Sequence, residues 1–392
     1  MTETPIRDLS QTVLIAGAGP AGAAAATMLV RAGVDVLLVD KSSFPRPKIC
    51  GDGITPGAMA ALDELGFDRK RLGEGNPRIE KLVLVSPGGL RWEPDLGDAA
   101  VVERSRFDAA VLDHAIACGA RFEPGWTVQV QGEVVSLRRG AETVDVRPRF
   151  LLAGDGEFSA IRRALTGELR PSEWLALRGY VDGVARPPTG FEFHMTHALR
   201  PGYGWVFPSG ETPGHANVGV YVPRAAGGGV ALRKLYDDFV EPLRCTRGAP
   251  PQGSPITPWS PSRTVRFGKT LLLGDAAGCA DALSGEGIGP AMRSGICAAA
   301  AVRAALEKRN DDALDGYAHA LAAAFLPARR RSAVILGALQ RAPGFVDRAF
   351  ELAPRDPTLA DAIARVVKEG AHPMNLLHPG IVARFLLPGW FR

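Results

Sequence analysis

The sequence predicts an α/β protein in which a Rossmann-type nucleotide-binding domain is interleaved with an antiparallel-sheet domain and followed by a helical C-terminal region. Three observations predict it. A β-rich run, Val13-Leu14-Ile15, meets glycines at 17, 19 and 22 and an alanine-rich helical stretch, and Val36 to Val39 then reads as a second strand. From about Pro171 to Ile256 the texture changes to short β segments broken by proline and glycine. The α/β texture returns at Thr270 and turns helical after Asp275.

At 392 residues the chain can bury a large core, and with 46% hydrophobic and 22% charged residues it is neither disordered nor a small stapled scaffold. The expected division is a nucleotide-binding part over 1–78, substrate-domain strands over 79–102, a second nucleotide-binding part over 103–170, an antiparallel substrate domain over 171–262, a third nucleotide-binding part over 263–325 and a helical region over 326–392. A net charge of +4 is small for this length, and the basic clusters at 69–71 and 329–331 lack interleaved aromatics, which argues against nucleic-acid binding. The start, MTETPIRDLSQ, lacks the features of a signal peptide, and no stretch reaches roughly 18 uninterrupted apolar residues. The expectation is a cytoplasmic protein, with peripheral membrane contact left open through the C-terminal region, where Arg329-Arg330-Arg331 precedes the apolar run Ala333 to Leu339. The cysteines at 50, 118, 245, 279 and 297 form no CxxC and no ligand spacing, so free thiols and no metal site are expected.

Taken in order, Thr12 to Asp40 is a βαβ unit whose helix ends near Gly33. A helix is expected from about Thr55 to Leu65, short strands from Ile79 to Val102 with a turn at Pro87-Gly88-Gly89, and an amphipathic helix from Ser105 to Gly119. Strands continue from Arg121 to Val146 and lead into the buried run Phe150 to Ala153. Within the antiparallel domain the strands are Ala176 to Val181, Phe191 to His197, Trp205 to Phe207 and Ala216 to Val222. His194 and His197 have a spacing that puts them on opposite faces of such a strand, which argues against a metal pair.

The segment Gly17-Ala18-Gly19-Pro20-Ala21-Gly22 carries the first chemistry. Gly17 permits a tight turn, Gly19 lets the backbone approach a pyrophosphate, Gly22 permits close helix packing, and the helix N-terminus attracts phosphate. Asp40, followed by Lys41, stands where a carboxylate accepts hydrogen bonds from a ribose. Two further strand ends carry Gly-Asp pairs: Gly154-Asp155-Gly156, with Ser159 and Arg162 after it, and Gly274-Asp275. A contiguous NAD unit has no use for such remote sites, whereas an extended FAD does. Then Gly285, Gly287 and Ile288 open a helix that can point amides at the pyrimidine end of a flavin.

Together these elements resemble the glutathione-reductase-type FAD fold shared by aromatic hydroxylases, FAD-dependent halogenases and geranylgeranyl reductases. Within that group, Pro45 to Gly53, with Lys48, Cys50 and Gly51, resembles the PxxKxCG segment of geranylgeranyl reductases. Tyr203-Gly204-Trp205-Val206-Phe207-Pro208 resembles their YxWxFP segment, and Ala216-Asn217-Val218-Gly219 the strand after it. Arg104 with Phe107 and Asp108 matches their RxxFD helix start, which implies an arginine near the FAD phosphates. The WxWxIP segment of halogenases is absent. Ser209 replaces the lysine that some members carry after YxWxFP, the loop Gly210 to His215 is altered, and the last sixty residues match nothing assignable.

The resemblance implies reduction of C=C bonds in a long apolar, isoprenoid-like substrate, by hydride from flavin N5 and a proton to the other carbon. At period two, Tyr203, Trp205 and Phe207 share one strand face and would supply an apolar wall for a prenyl chain. Cys50 could donate the proton, tune the flavin or simply pack. The expected cofactor is FAD, with NAD(P)H, a ferredoxin or a flavodoxin as transient electron donor, since only one dinucleotide fingerprint is present. An FAD monooxygenase and a non-catalytic prenyl-lipid-binding flavoprotein are the alternatives.

Overall fold

The computed structural model describes residues 9–10, 12–72, 78–132, 134–167, 172–210, 212–227, 230–341 and 343–360. The part of the expected helical region beyond 360 lies outside the described residues. A six-stranded sheet runs in the order Arg266–Phe267, Thr270–Leu272, Phe150–Ala153, Val13–Ala16, Val36–Asp40, Arg121–Pro124. All its pairings are parallel except the edge pair of Arg266–Phe267 with Thr270–Leu272. Three of the inner strands, Phe150–Ala153, Val13–Ala16 and Val36–Asp40, are buried along their whole length and, Asp40 apart, consist of Val, Leu, Ile, Phe and Ala, as a sheet covered on both faces requires.

Register decides what this sheet presents. Ala16 pairs with Ala153, and Ala153 with Leu272, so the chain leaves these strands at one level of the sheet's carboxyl edge. Three turns far apart in sequence are thereby gathered on one rim, the place where open α/β sheets bind ligands. Small residues hold the layer behind the rim. The helix Pro20–Arg31 packs its alanines beneath the helix Ile288–Lys308, and a Cβ on Gly295 would lie 2.2 Å from the Ala21 carbonyl oxygen.

The second sheet follows the order Thr246–Arg247, Trp174–Asp182, Ala216–Pro223, Tyr203–Pro208, Phe191–His194, Arg78–Val85, Asp95–Val101, Gly53–Ile54. It differs from the expected antiparallel sheet in one place: Phe191–His194 runs parallel to Arg78–Val85. These strands lie far apart in sequence, so no hairpin dictates their relative direction. The strand read as Phe191 to His197 ends at His194, and His197 begins a 3-10 turn, His197–Leu199. A helix, Val230–Val240, also interrupts the β texture, and its Tyr236 and Phe239 pack with Leu177, Val181, Val218 and Val220 on the sheet's reverse face.

The opposite face is aromatic and looks toward the nucleotide-binding sheet. Tyr203, Trp205, Phe207, Phe191 and Tyr221 form one buried cluster, with Leu336 and Phe350 of the C-terminal helices packed onto it. Those helices are Gly316–Arg341, which contains Pro327, and Pro343–Leu352. They are tied down by Ser332 Oγ donating to Asp281 at 2.7 Å, by Arg329 donating to the Trp259 carbonyl at 3.1 Å, and by an Arg200–Asp347 ion pair. Among the described residues no helix is long and apolar enough to cross a membrane.

Candidate active site

A cavity of about 650 Å³ lies between the rim and the aromatic face. Gly17, at φ +100°, makes the first turn, and a Cβ there would sit 2.3 Å from the Gly154 carbonyl oxygen, so only glycine fits beside the second turn. Gly22 does not line the cavity. Its Cβ would fall 1.9 Å from the Gly17 carbonyl oxygen, which shows its part as a contact between helix and turn. Gly19, Pro20 and Ala21 do line the cavity, with Arg46 facing them across it. A Cβ on Gly19 would meet only the Arg46 guanidinium, at 3.5 Å, so the backbone is open to a ligand on that side.

Asp40 is buried at the end of its strand, where one carboxylate oxygen accepts from the Ala18 amide and the other from the Ser42 amide, both at 2.8 Å. Ala18 itself faces away from the cavity, while Asp40 and Lys41 line it. Each oxygen of a carboxylate can take a further donor, so the two amides hold Asp40 in position and leave it capacity for a hydroxyl.

At the other end of the rim, Asp155, Gly156, Gly274 and Asp275 all line the cavity. Asp155 accepts from Ser159 Oγ at 2.6 Å and from the Ile161 amide at 3.2 Å, at the start of the short helix Ala160–Thr166. Burial raises its pKa above the ordinary aspartate value. Asp275 lies 3.7 Å from Lys48 Nζ, which joins the third turn to the PxxKxCG loop. Gly285, Gly287 and Ile288 also line the cavity, and Gly287 is the cap residue of the helix Ile288–Lys308, so the first amides of a 21-residue helix open toward it.

Two carboxyls that the sequence did not single out stand at this end. Glu157 is buried and its pKa is pushed up to about 7 by that burial and by nearby Asp275, against a hydrogen bond from Thr257 at 2.5 Å. Glu286 accepts from Thr55 Oγ1 at 2.7 Å and from the Gly289 amide at 3.1 Å, and burial raises it as well.

Tyr203, Trp205 and Phe207 line the cavity from the sheet, as their period-two spacing predicts, while Pro208 lies outside it. Phe191, Phe193 and Tyr221 extend the wall, with Phe191 and Phe207 ring centroids 4.7 Å apart. Facing this wall are Cys50, half-buried, and Gly51, whose Cβ would lie 3.4 Å from both Trp205 Nε1 and Phe207. Arg104 lines the cavity but is not a free guanidinium. It grips Asp108 through two hydrogen bonds of 2.7 and 2.9 Å. Burial by itself would lower the Arg104 pKa, yet the Asp108 carboxylate and the Cys50 sulfur raise it, so the cation beside Cys50 is permanent.

Beside the wall, on the same face of the sheet, lies a buried polar network. Asn217 accepts from Trp205 Nε1 at 3.0 Å and donates to the Cys50 carbonyl at 2.9 Å and to Asp52 Oδ2 at 2.8 Å. Tyr180 donates to the same Asp52 oxygen at 2.5 Å. Asp52 is fully buried in the left-handed region, at φ +63°, and burial raises its pKa. The sequence showed Asp52 and Asn217 only as members of motifs, because the bond between them spans 165 positions.

The family described as "FAD binding domain" matches residues 10–196. The chain is 34% identical over 316 residues to the menaquinone reductase of Mycobacterium tuberculosis, covering 74% of this chain and 76% of that protein. It is also 34% identical over 322 residues to digeranylgeranylglycerophospholipid reductase 1 of Methanopyrus kandleri, covering 76% of this chain and 81% of that one. In fold it is similar to a geranylgeranyl bacteriochlorophyll reductase-like protein of Thermoplasma acidophilum, with a TM-score of 0.78 at 22% identity over 94% of this chain and 100% of the other. Glycine turns gathered on one rim, an aromatic wall opposite and these relatives lead to one assignment: the chain belongs to the geranylgeranyl reductase family and is an FAD-dependent oxidoreductase.

Proposed function

We propose that the protein reduces C=C bonds in the prenyl chain of a long apolar, isoprenoid substrate. The observation that carries this reading is the placement of the three glycine turns on one side of a single cavity and of an aromatic wall on the other. The residues fit an extended FAD. Gly17 and Gly19 with the helix start at Pro20 and Ala21 would hold the pyrophosphate, Asp40 with Lys41 the ribose, and Asp155, Gly156, Gly274 and Asp275 the stretch toward the ring. The amides of Gly285, Gly287 and Ile288 would face its pyrimidine edge, with Lys48 and Gly51 closing the loop side and Arg104 beside it. Bound FAD supplies the hydride, from N5.

The chain's own residues then do three things. Tyr203, Trp205 and Phe207 orient the prenyl chain and exclude water. The Cys50 thiol, standing between that wall and the Arg104 cation, delivers the proton to the second carbon. Asn217 fixes the two relative to each other, since it binds the Trp205 indole and the Cys50 carbonyl at once. The names of the relatives, reductases of menaquinone and of a digeranylgeranylglycerophospholipid, support a lipid substrate. Electrons arrive from NAD(P)H or from a reduced ferredoxin or flavodoxin that binds transiently.

The test is anaerobic. Holoenzyme reduced with dithionite is mixed with polyprenyl quinones and polyprenyl phosphates, flavin reoxidation is followed by absorbance, and products are weighed by mass spectrometry. A gain of two hydrogens is the expected result. A gain of one oxygen under air would replace the reading with a monooxygenase, and no reoxidation by any candidate would leave a lipid-binding flavoprotein.

A further inference from the structure

Among the described residues the side chain of Arg178, a cation on the cavity wall, has no hydrogen-bond or ion-pair partner. Arg178 belongs to the strand Trp174–Asp182, pairs across to Gly219, and Gly219 pairs across to Trp205, so Arg178 and Trp205 stand in one row of the sheet. Both line the cavity, in company with Ala176, Phe193 and Ile256. Gly219 clears the space between them: a Cβ there would lie 2.3 Å from Trp205 Cζ2, so the indole lies across the glycine toward the arginine's strand.

The guanidinium is held in place without being neutralised. Its carbon sits 4.5 Å from the centroid of the Tyr180 ring, and that ring is stacked on His215 and anchored by its hydroxyl to Asp52. Asp52 feels Arg178 electrostatically but accepts its hydrogen bonds from Tyr180 and Asn217, and forms no ion pair with it. Among the described residues the Arg178 guanidinium makes no hydrogen bond or ion pair, and its Nε is buried without an acceptor. Of its five donors the Nε–H is buried and unmatched, a disfavoured state, and a half-buried guanidinium held on the cavity wall with no carboxylate paired to it calls for an acceptor from outside the chain. A hydrocarbon chain offers none.

We infer that Arg178 receives the oxygen-bearing polar head group of the isoprenoid substrate, donating hydrogen bonds to its oxygens while the prenyl chain lies along Trp205 and Phe193. The inference rests on the proposed function and adds to it the residue that would read the head group, through phosphate or quinone oxygens close to the chain. A head group held there would set which double bond of the chain comes to the reacting position, so Arg178 acts as a specificity-determining residue.

The experiment compares holoenzyme with Arg178→Met and Arg178→Lys, using geranylgeranyl diphosphate, a polyprenyl menaquinone and a C20 polyprenyl hydrocarbon. Equilibrium Kd is read from tryptophan fluorescence quenching, and kcat and KM from anaerobic flavin reoxidation. FAD content, Tm and flavin potential are measured for each variant. The expected result is that Arg178→Met weakens Kd and KM for a head-grouped probe by about tenfold to a hundredfold, erases its advantage over the hydrocarbon, and that Arg178→Lys recovers part of the loss. The probe with the larger loss identifies the head group as phosphate or quinone. Equal losses for all three probes, or undiminished discrimination, would overturn the assignment. So would a shifted potential or lost FAD with discrimination intact, which would give the guanidinium to the flavin. Arg178-dependent binding without turnover would sink the reductase reading alone, and turnover indifferent to Arg178 the head-group site alone.

Discussion

Asn217 is where sequence, wall and loop meet, since one buried amide satisfies Trp205, Cys50 and Asp52 together. Asn217→Ala leaves the indole N–H and the Cys50 carbonyl without partners, and unmatched buried groups of this kind cost about 1–3 kcal/mol each. The expected outcome is a lowered Tm by thermal denaturation together with a raised KM for the prenyl substrate, because the loop and the wall lose their common fixing point. Cys50→Ala acts differently. The substitution touches no cofactor-holding backbone, so FAD content stays at the wild-type level while double-bond reduction slows by about a hundredfold or more. Unchanged turnover in that variant would take Cys50 out of the mechanism.

Among the elements, the first glycine turn has the least tolerance. Gly17 combines a positive φ with a 2.3 Å approach to the Gly154 carbonyl oxygen, so Gly17→Val pushes the first and second turns apart. The purified variant is expected to be colourless, as read from the ratio of flavin to protein absorbance. The strand Phe191–His194 supports a prediction of the acid limb of stability. Glu192 is buried, and although burial raises a carboxyl, hydrogen bonds from His194 and from both arms of Arg91 hold its pKa down to about 2 against an ordinary 4.5. A pKa lowered by folding gives stability that is complete above pH 4.5 and is lost as pH falls toward 2. That loss amounts to at most about 3 kcal/mol. Glu192→Gln should therefore be less stable than wild type at neutral pH and flatter between these two values, as measured by urea titration across pH.

For the whole molecule, the C-terminal helices decide how enclosed the wall is. Phe350 packs into the aromatic cluster and Arg200 pairs with Asp347, so the helix Pro343–Leu352 covers the side of the sheet that faces the cavity. Phe350→Ala is expected to leave FAD bound but to raise KM for long prenyl chains several-fold in the reoxidation assay, since about 3–5 kcal/mol of buried contact is lost from the roof rather than from the cofactor side. Unaltered KM would show that the roof takes no part in holding substrate.

Much of this was present in the sequence because it is local. A strand, a glycine turn and a helix start are neighbours in the chain, and their φ values and free amides follow from residue types at fixed spacing. The cofactor class, the α/β fold and the shared face of Tyr203, Trp205 and Phe207 were therefore legible at once. Tertiary structure alone decided the rest. It set Phe191–His194 parallel to Arg78–Val85, joined Asp52 to Asn217 and Tyr180, and left the Arg178 side chain in the row of Trp205 with no hydrogen-bond or ion-pair partner among the described residues. Those facts depend on strand register between distant segments, and a shift of one residue would turn each side chain to the opposite face of the sheet.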